Sequence, residues 1–163
     1  MSNFNYNKQR HLELLKLKYS QKKVLTSTEK LELNEYSSVL DNTLDWETKE
    51  QYLDLLEKLI SGKINSFKFY IEFKERNDSN SEVFDSLNAN FLLLSPHKKS
   101  KEFSNFISEI MDFCYSYSEV FESYAPGKKI EAYDIDSYED CDSEFRISMQ
   151  KIYLKIQNFL NEE

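Results

Sequence analysis

The scarcity of chain-breaking residues is the feature that most restricts what this chain can fold into. Gly and Pro each occur only twice in 163 residues. Hairpins, β-bulges and tight strand-to-helix turns draw heavily on these two residues, because other residues adopt the required backbone conformations poorly. The sequence therefore favours helices joined by polar turns and predicts an all-α fold.

The hydrophobic content is sufficient for one folded core. Hydrophobic residues make up 40% of the chain and include 12 Phe and 11 Tyr, which argues against global disorder. No apolar run approaches the roughly 18 residues of a membrane-spanning helix, and residues 1–23 lack the apolar centre of a signal peptide. We therefore expect a soluble protein without a membrane span, either a monomer or a subunit of a complex.

The cysteine usage and the composition bear on the compartment. Cys114 and Cys141 follow no pairing pattern, so we expect reduced thiols in a reducing compartment. The richness in Phe, Tyr, Asn, Lys and Ile beside only three Ala is typical of an AT-rich genome. These features predict a cytoplasmic location, or the plastid stroma if the gene is organellar.

The charge is strongly acidic but unevenly distributed. The formal net charge is −8, which argues against direct nucleic-acid binding, because phosphate neutralisation needs clustered Lys and Arg. Residues 1–23 nevertheless carry a net charge of +5, which leaves −13 on the remainder. The basic segment suits a membrane surface, an acidic partner or simply the solvated face of a helix.

Two helices are predicted in the N-terminal part. Leu12, Leu15 and Tyr19 recur at helical spacing and indicate a basic helix over about 8–22. The run Thr26-Ser27-Thr28-Glu29 is a capping box, in which a hydroxyl and a carboxylate satisfy free backbone amides, and it predicts that a second helix begins there.

The next helix is predicted over 46–61. Asp45 offers an N-cap at its start, and Gly62 can adopt the left-handed conformation that ends a helix. We interpret residues 1–45 as a basic helical extension that packs on a bundle formed by residues 46–163.

Residues 67–74 are ambiguous, because their apolar positions fit both strand alternation and a helical face. We predict a helix, since Asn65 or Ser66 can cap it and no second alternating run exists to pair with a strand. The polar run 77–81 indicates a turn, and residues 83–94 indicate another helix.

The C-terminal part contains the strongest helical periodicity. A helix is predicted from about residue 101 to a break at 124–127, where Pro and Gly are adjacent. The last helix is predicted over 142–161, with apolar residues at steps of three and four. Short polar turns between antiparallel helices complete a helical bundle with a four-helix core.

No catalytic or metal-binding pattern is recognisable. His11 and His97 lack the close paired spacing of a zinc site with the two cysteines. Nucleotide-binding loops and the hydrolase nucleophile elbow need glycines that the chain does not have. We therefore expect a protein without an enzymatic activity, a cofactor or a metal, although an enzyme that uses paired carboxylates stays open as an alternative.

Residues 131–144 form the most unusual segment, with abundant carboxylates and no Lys or Arg. An EF-hand is not supported, because the sixth and twelfth loop positions lack the required Gly and Glu. In one interpretation Asp136 or Asp142 caps the last helix and the rest is solvated. In the other, the segment binds a basic protein surface. The candidate partner-binding residues are Glu131, Asp134, Asp136, Tyr138, Glu139, Asp140, Asp142 and Glu144.

Three short blocks resemble the colicin D immunity-like family of bacterial self-protective proteins, over about residues 46–161. The blocks are LISGKI at 59–64 with Phe67 and Phe73, FISEI at 106–110 with Phe113 and Cys114, and DSEFR at 142–146. The resemblance implies an antiparallel helical bundle that binds and inhibits a basic ribonuclease toxin. It also implies that acidic side chains replace the phosphates of a transfer RNA at the toxin's active site. The alternative is a non-catalytic scaffold or subunit of a larger assembly.

Overall fold

The protein is an all-α helical bundle. The computed structural model describes residues 5–123 and 132–162, except for the side chains of residues 132–138. None of the helices it describes is long and apolar enough to cross a membrane. In chain order, the elements are α1 (Lys8–Leu15), a π-helical turn (Lys16–Ser20), α2 (Ser27–Glu47), α3 (Lys49–Ile60), α4 (Ser66–Ala89), α5 (Ser100–Ser123) and α6 (Ala132–Asn161).

The capping box at the start of α2 is confirmed. The backbone N–H of Glu29 donates to Oγ1 of Thr26 at 3.2 Å, and the backbone N–H of Thr26 donates to Oε2 of Glu29 at 2.8 Å. Two backbone donors that would otherwise be unpaired at a helix start are thus satisfied reciprocally.

The predicted N-cap role of Asp45 is wrong. Residue 45 lies inside α2, which continues to Glu47, and Thr48 precedes α3 without a side-chain cap. The Asp45 side chain is buried instead and accepts hydrogen bonds from other helices. Tertiary packing therefore uses this carboxylate in place of the local capping bond.

The ambiguous segment 67–74 is helical, because it lies within α4. The side chain of Asn65 caps this helix by accepting from the backbone N–H of Lys68 at 2.8 Å. The turn predicted at 77–81 is wrong, since α4 continues unbroken through it. Asn80 is buried and its side chain forms hydrogen bonds with residues outside α4. The polar run therefore continues the helix and supplies a buried polar contact.

The last helix begins earlier than predicted. α6 starts at Ala132 rather than near residue 142. Asp136 and Asp142 are therefore interior helix positions and cannot be N-caps, because a cap lies at the boundary of a helix. The break predicted at 124–127 lies outside the described residues.

Two apolar clusters hold the helices together. The larger cluster joins α3, α4, α5 and α6 through fully buried aromatic residues such as Phe73, Phe103 and Phe145. α5 and α6 run antiparallel, as the ring contact of Phe106 with Phe159 and the hydrogen bond of Tyr117 with Glu144 show. The smaller cluster fixes α1 on α2 and comprises Leu14, Leu15, Leu25, Leu33 and Tyr36.

Candidate functional site

Three carboxylates of the predicted acidic segment lie exposed on the first half of α6. Glu139, Asp140 and Glu144 are all exposed. Asp140 and Glu144 are four residues apart, so they lie on one face of the helix. Within the described part of the chain, none of the three carboxylates forms an ion pair. We call these three residues the acidic surface.

Asp142 differs from its neighbours because it is engaged in the fold. Its Oδ2 accepts from Nε of Arg146 at 2.6 Å. The Arg146 guanidinium also donates at 2.6 Å to the carbonyl oxygen of Leu59, in the last turn of α3, and at 3.3 Å to that of Ile64, in the turn that follows α3. Cations are favoured there, because the last carbonyl groups of a helix carry negative partial charge. Asp142 thus positions Arg146.

Tyrosine hydroxyls hold two carboxylates at the same end of the bundle. The hydroxyl of Tyr117 donates to Glu144 at 3.2 Å, and that of Tyr70 donates to Glu122 at 3.1 Å. Both tyrosine rings pack on Phe121. Sequence reasoning missed Glu122, because only the packing of α4 and α6 on Phe121 of α5 places it at the same end of the bundle as Glu144.

The remaining candidates of the acidic segment cannot be placed as side chains. Residue Glu131 lies outside the described residues. Asp134, Asp136 and Tyr138 are positions within α6, but their side chains are outside the described part. Among the described side chains of this segment, the acidic surface therefore comprises Glu139, Asp140 and Glu144.

A second polar site lies in a cleft between α2, α4 and α5, with a volume of about 280 Å³. Its centre is the buried carboxylate of Asp45, whose Oδ2 accepts from the hydroxyl of Ser104 at 2.6 Å. Its Oδ1 accepts from Nδ2 of Asn80 at 3.1 Å and from the hydroxyl of Tyr52 at 3.4 Å. Sequence reasoning missed this cleft, since residues distant in the chain meet there: Asp45 and Ser104, for example, are 59 residues apart.

Burial raises the pKa of Asp45, although the hydrogen bonds from Ser104 and Asn80 partly oppose the shift. The nearby Asp41 carboxylate raises it further by charge repulsion. Among the residues described, no cation forms an ion pair with Asp45. The carboxyl group thus has hydrogen-bond donors but no described counter-ion.

The described cysteines and histidines do not assemble a nucleophile or a metal site. Cys114 is buried, and burial raises the pKa of its thiol to about 12, so the reactive thiolate is disfavoured. His11 is buried between Tyr6 and Tyr36, whereas His97 stacks on Trp46. Within the described residues, no group of three His, Cys, Asp or Glu is placed to hold a metal ion.

Comparisons of the chain with protein-family models, with curated proteins and with solved structures found no match. The strongest feature of the chain's own residues is the group of exposed carboxylates on α6, of which Glu144 is held by the hydroxyl of Tyr117.

Proposed function

We propose that this protein is a non-catalytic binding domain that docks a basic protein surface on its acidic surface. The observation that carries the proposal is the exposure of Glu139, Asp140 and Glu144 without a described ion-pair partner. Unpaired carboxylates on one helix create a negative potential that attracts and orients a basic partner.

A basic ribonuclease toxin is the partner that best fits this surface and the resemblance to colicin D immunity-like proteins. Carboxylates can satisfy the same Arg and Lys groups that hold a nucleic-acid backbone, because both ligands present anionic oxygens. Exposed carboxylates can therefore occupy a nuclease active site in place of phosphates. Inhibition then follows from simple occlusion and needs no chemistry on the part of this chain.

The aromatic contacts beneath Glu144 support this proposal. The hydroxyl of Tyr117 restrains Glu144, and its ring packs against Phe145 at 5.5 Å between centroids. Fixing a side chain before binding lowers the entropy cost of association. Tyr117 is itself half-buried, and aromatic residues beside a charged rim are common at protein interfaces.

The proposal is tested by measuring binding to the nuclease domain of a basic transfer-RNA-cleaving toxin at low and high salt. The triple variant Glu139→Lys, Asp140→Lys, Glu144→Lys should bind at least about tenfold more weakly, mainly through slower association. Asp142 is left intact because it holds Arg146 in the fold.

The matched control reverses three exposed carboxylates on another helix. The triple variant Glu75→Lys, Glu82→Lys, Asp85→Lys changes the net charge equally, and all three residues are exposed on α4. The control should keep most of the affinity. Equal weakening by both variants would show that only net charge matters, and the acidic surface would then not be the binding site.

A second candidate is a non-catalytic subunit of a larger assembly, which is favoured by the separation of charge on the molecule. The exposed lysines Lys16, Lys18, Lys22 and Lys23 lie on other elements than the acidic surface. Two surfaces of opposite charge can contact two different neighbours. Affinity purification at low and high salt distinguishes the candidates, since a subunit should recover several partners and an inhibitor one basic nuclease.

A further inference from the structure

A shallow depression of about 330 Å³ lies beside the start of α2 and is rimmed by lysines. Lys18, Lys23 and Lys30 surround it, while Leu25 and Leu33 form its apolar floor. All three lysines are exposed, and none forms an ion pair within the described part of the chain. We call this site the lysine pocket.

Apolar side chains project from the same region. Val24 also lines the lysine pocket, and 85% of its surface is exposed. Leu31 is 67% exposed and Tyr19 is 48% exposed. Three of the eight large hydrophobic residues that the structure shows exposed therefore lie within residues 19–31.

The local backbone explains why Val24 points away from the protein. Lys22 adopts a left-handed conformation with φ of 48°, and the backbone N–H of Lys23 donates to the carbonyl of Leu17 at 3.0 Å, which ends the π-helical turn. Leu25 is then anchored in the smaller apolar cluster with only 7% of its surface exposed. Val24, directly before this anchor, lies outside the cluster and projects into solvent.

We propose that the lysine pocket and the projecting Val24 form a docking surface for anionic phospholipid membranes. The lysines contact lipid headgroups, and Val24 enters the boundary between the headgroups and the acyl chains. Basic side chains flanking an exposed apolar residue are the combination that binds such interfaces. This inference does not depend on the proposed toxin partner, because it concerns different residues.

The residue types favour a membrane over an acidic protein. All the cations of the pocket are Lys, which is depleted at protein interfaces, whereas Arg is enriched there. Val24 projects from a loop instead of filling a cavity, and a fluid bilayer accepts such a shape without a complementary surface. The nearby Glu29 carboxylate interacts with Lys23 but is held by Thr26 in the capping box. The more distant acidic groups behind the net charge of −8 oppose binding only weakly, because charges farther away than about 8 Å are screened at physiological salt.

The experiment is sedimentation of the full chain with vesicles of phosphatidylcholine, with or without phosphatidylserine. We expect binding to the vesicles that contain phosphatidylserine and little binding to pure phosphatidylcholine. The triple variant Lys18→Gln, Lys23→Gln, Lys30→Gln should lower the affinity by about 100-fold, since three surface lysines each contribute to attraction. Val24→Asp should also weaken binding and should do so even at low salt.

The matched control is Lys63→Gln, Lys74→Gln, Lys151→Gln, which removes three exposed lysines elsewhere. It should retain most of the vesicle binding. The proposal is overturned if the two triple variants behave alike or if phosphatidylserine has no effect. It is also overturned if poly-glutamate binds the lysine pocket while vesicles do not, because the surface would then serve an acidic polypeptide.

Discussion

His11 and Asp45 are both buried ionisable residues, but their surroundings satisfy them in different ways. His11 is fully buried and stacks on Tyr36, with ring centroids 5.3 Å apart. Its Nδ1 lies 3.3 Å from the Tyr6 hydroxyl, while its buried Nε2 has no hydrogen-bond partner among the described atoms. Asp45 instead accepts three side-chain hydrogen bonds. One site is mainly a stacking contact, and the other is a polar network.

The two sites nevertheless share one electrostatic property, which is that burial disfavours the charged form of each residue. Burial lowers the pKa of His11 to about 4 and raises that of Asp45. Hydrogen bonds therefore do not replace a counter-ion, because they reduce the desolvation cost without removing it. The effects on stability have opposite signs. The contribution of His11 to the stability of the fold is lost as the pH falls below the pKa of His11 in the unfolded chain. The contribution of Asp45 is lost as the pH rises through the pKa of Asp45 in the folded protein.

The largest effect is expected from Asn80→Ala, which removes the centre of the polar network. Nδ2 of Asn80 donates to Asp45 and Thr48, and its Oδ1 accepts from Arg76 at 2.8 Å. Leaving these groups unpaired should lower the free energy of unfolding by about 3 kcal/mol in urea denaturation. Asn77→Ala is the matched control, because Asn77 lines the same cleft but its side chain forms no hydrogen bond with the described residues. A similar loss in both variants would contradict a specific network.

A smaller effect, dependent on pH, is expected at His11. The folded pKa of about 4 lies below the unfolded value of 6.5, so protonation favours the unfolded chain. Between pH 7 and pH 5 this should remove about 2 kcal/mol of stability. His11→Phe should abolish that part of the pH dependence while keeping the contact with Tyr36. Tyr6→Phe retains the titrating ring of His11 and should keep this pH dependence. If the stability of His11→Phe varies with pH as steeply as that of the parent, His11 is not its source.

The smallest effect is expected from Asp45→Asn, which removes the charge but keeps a polar side chain in the network. At pH 7 its free energy of unfolding should stay within about 1 kcal/mol of the parent, because lost acceptor capacity is offset by the absence of a buried charge. The parent should gain relative stability as pH falls, since its Asp45 takes up a proton more readily when folded. Denaturation at several pH values tests this prediction. A difference that does not vary with pH would mean that Asp45 titrates alike in both states.

Local sequence features predicted the helices well where the relevant chemistry was local. The capping box at Thr26 and the end of α3 before Gly62 are both confirmed, with Gly62 at φ of 75°. These features depend on residues within one turn of each other. The turn predicted at 77–81 failed because a polar run was interpreted as solvated, although one of its members, Asn80, is buried against α2 and α3.

The acidic surface was partly visible in the sequence, because a run of carboxylates without Lys or Arg is a local property. The sequence did not show which of these carboxylates are exposed and which are engaged in the fold. Asp142 is held by Arg146, which itself reaches carbonyl groups of α3 and of the turn after it, more than 80 residues earlier in the chain. Glu122 joins the same end of the bundle only through Tyr70 of α4.

The sequence by itself determined the all-helical class, since two Gly and two Pro in 163 residues leave few of the turns that sheets require. It also determined the uneven charge. Only the tertiary structure decided which polar residues are buried. Asp45 could cap a helix or enter a core, and the packing of α4 and α5 against α2 supplied the donors that made burial tolerable. The choice depends on partners distant in sequence, so no local pattern can encode it.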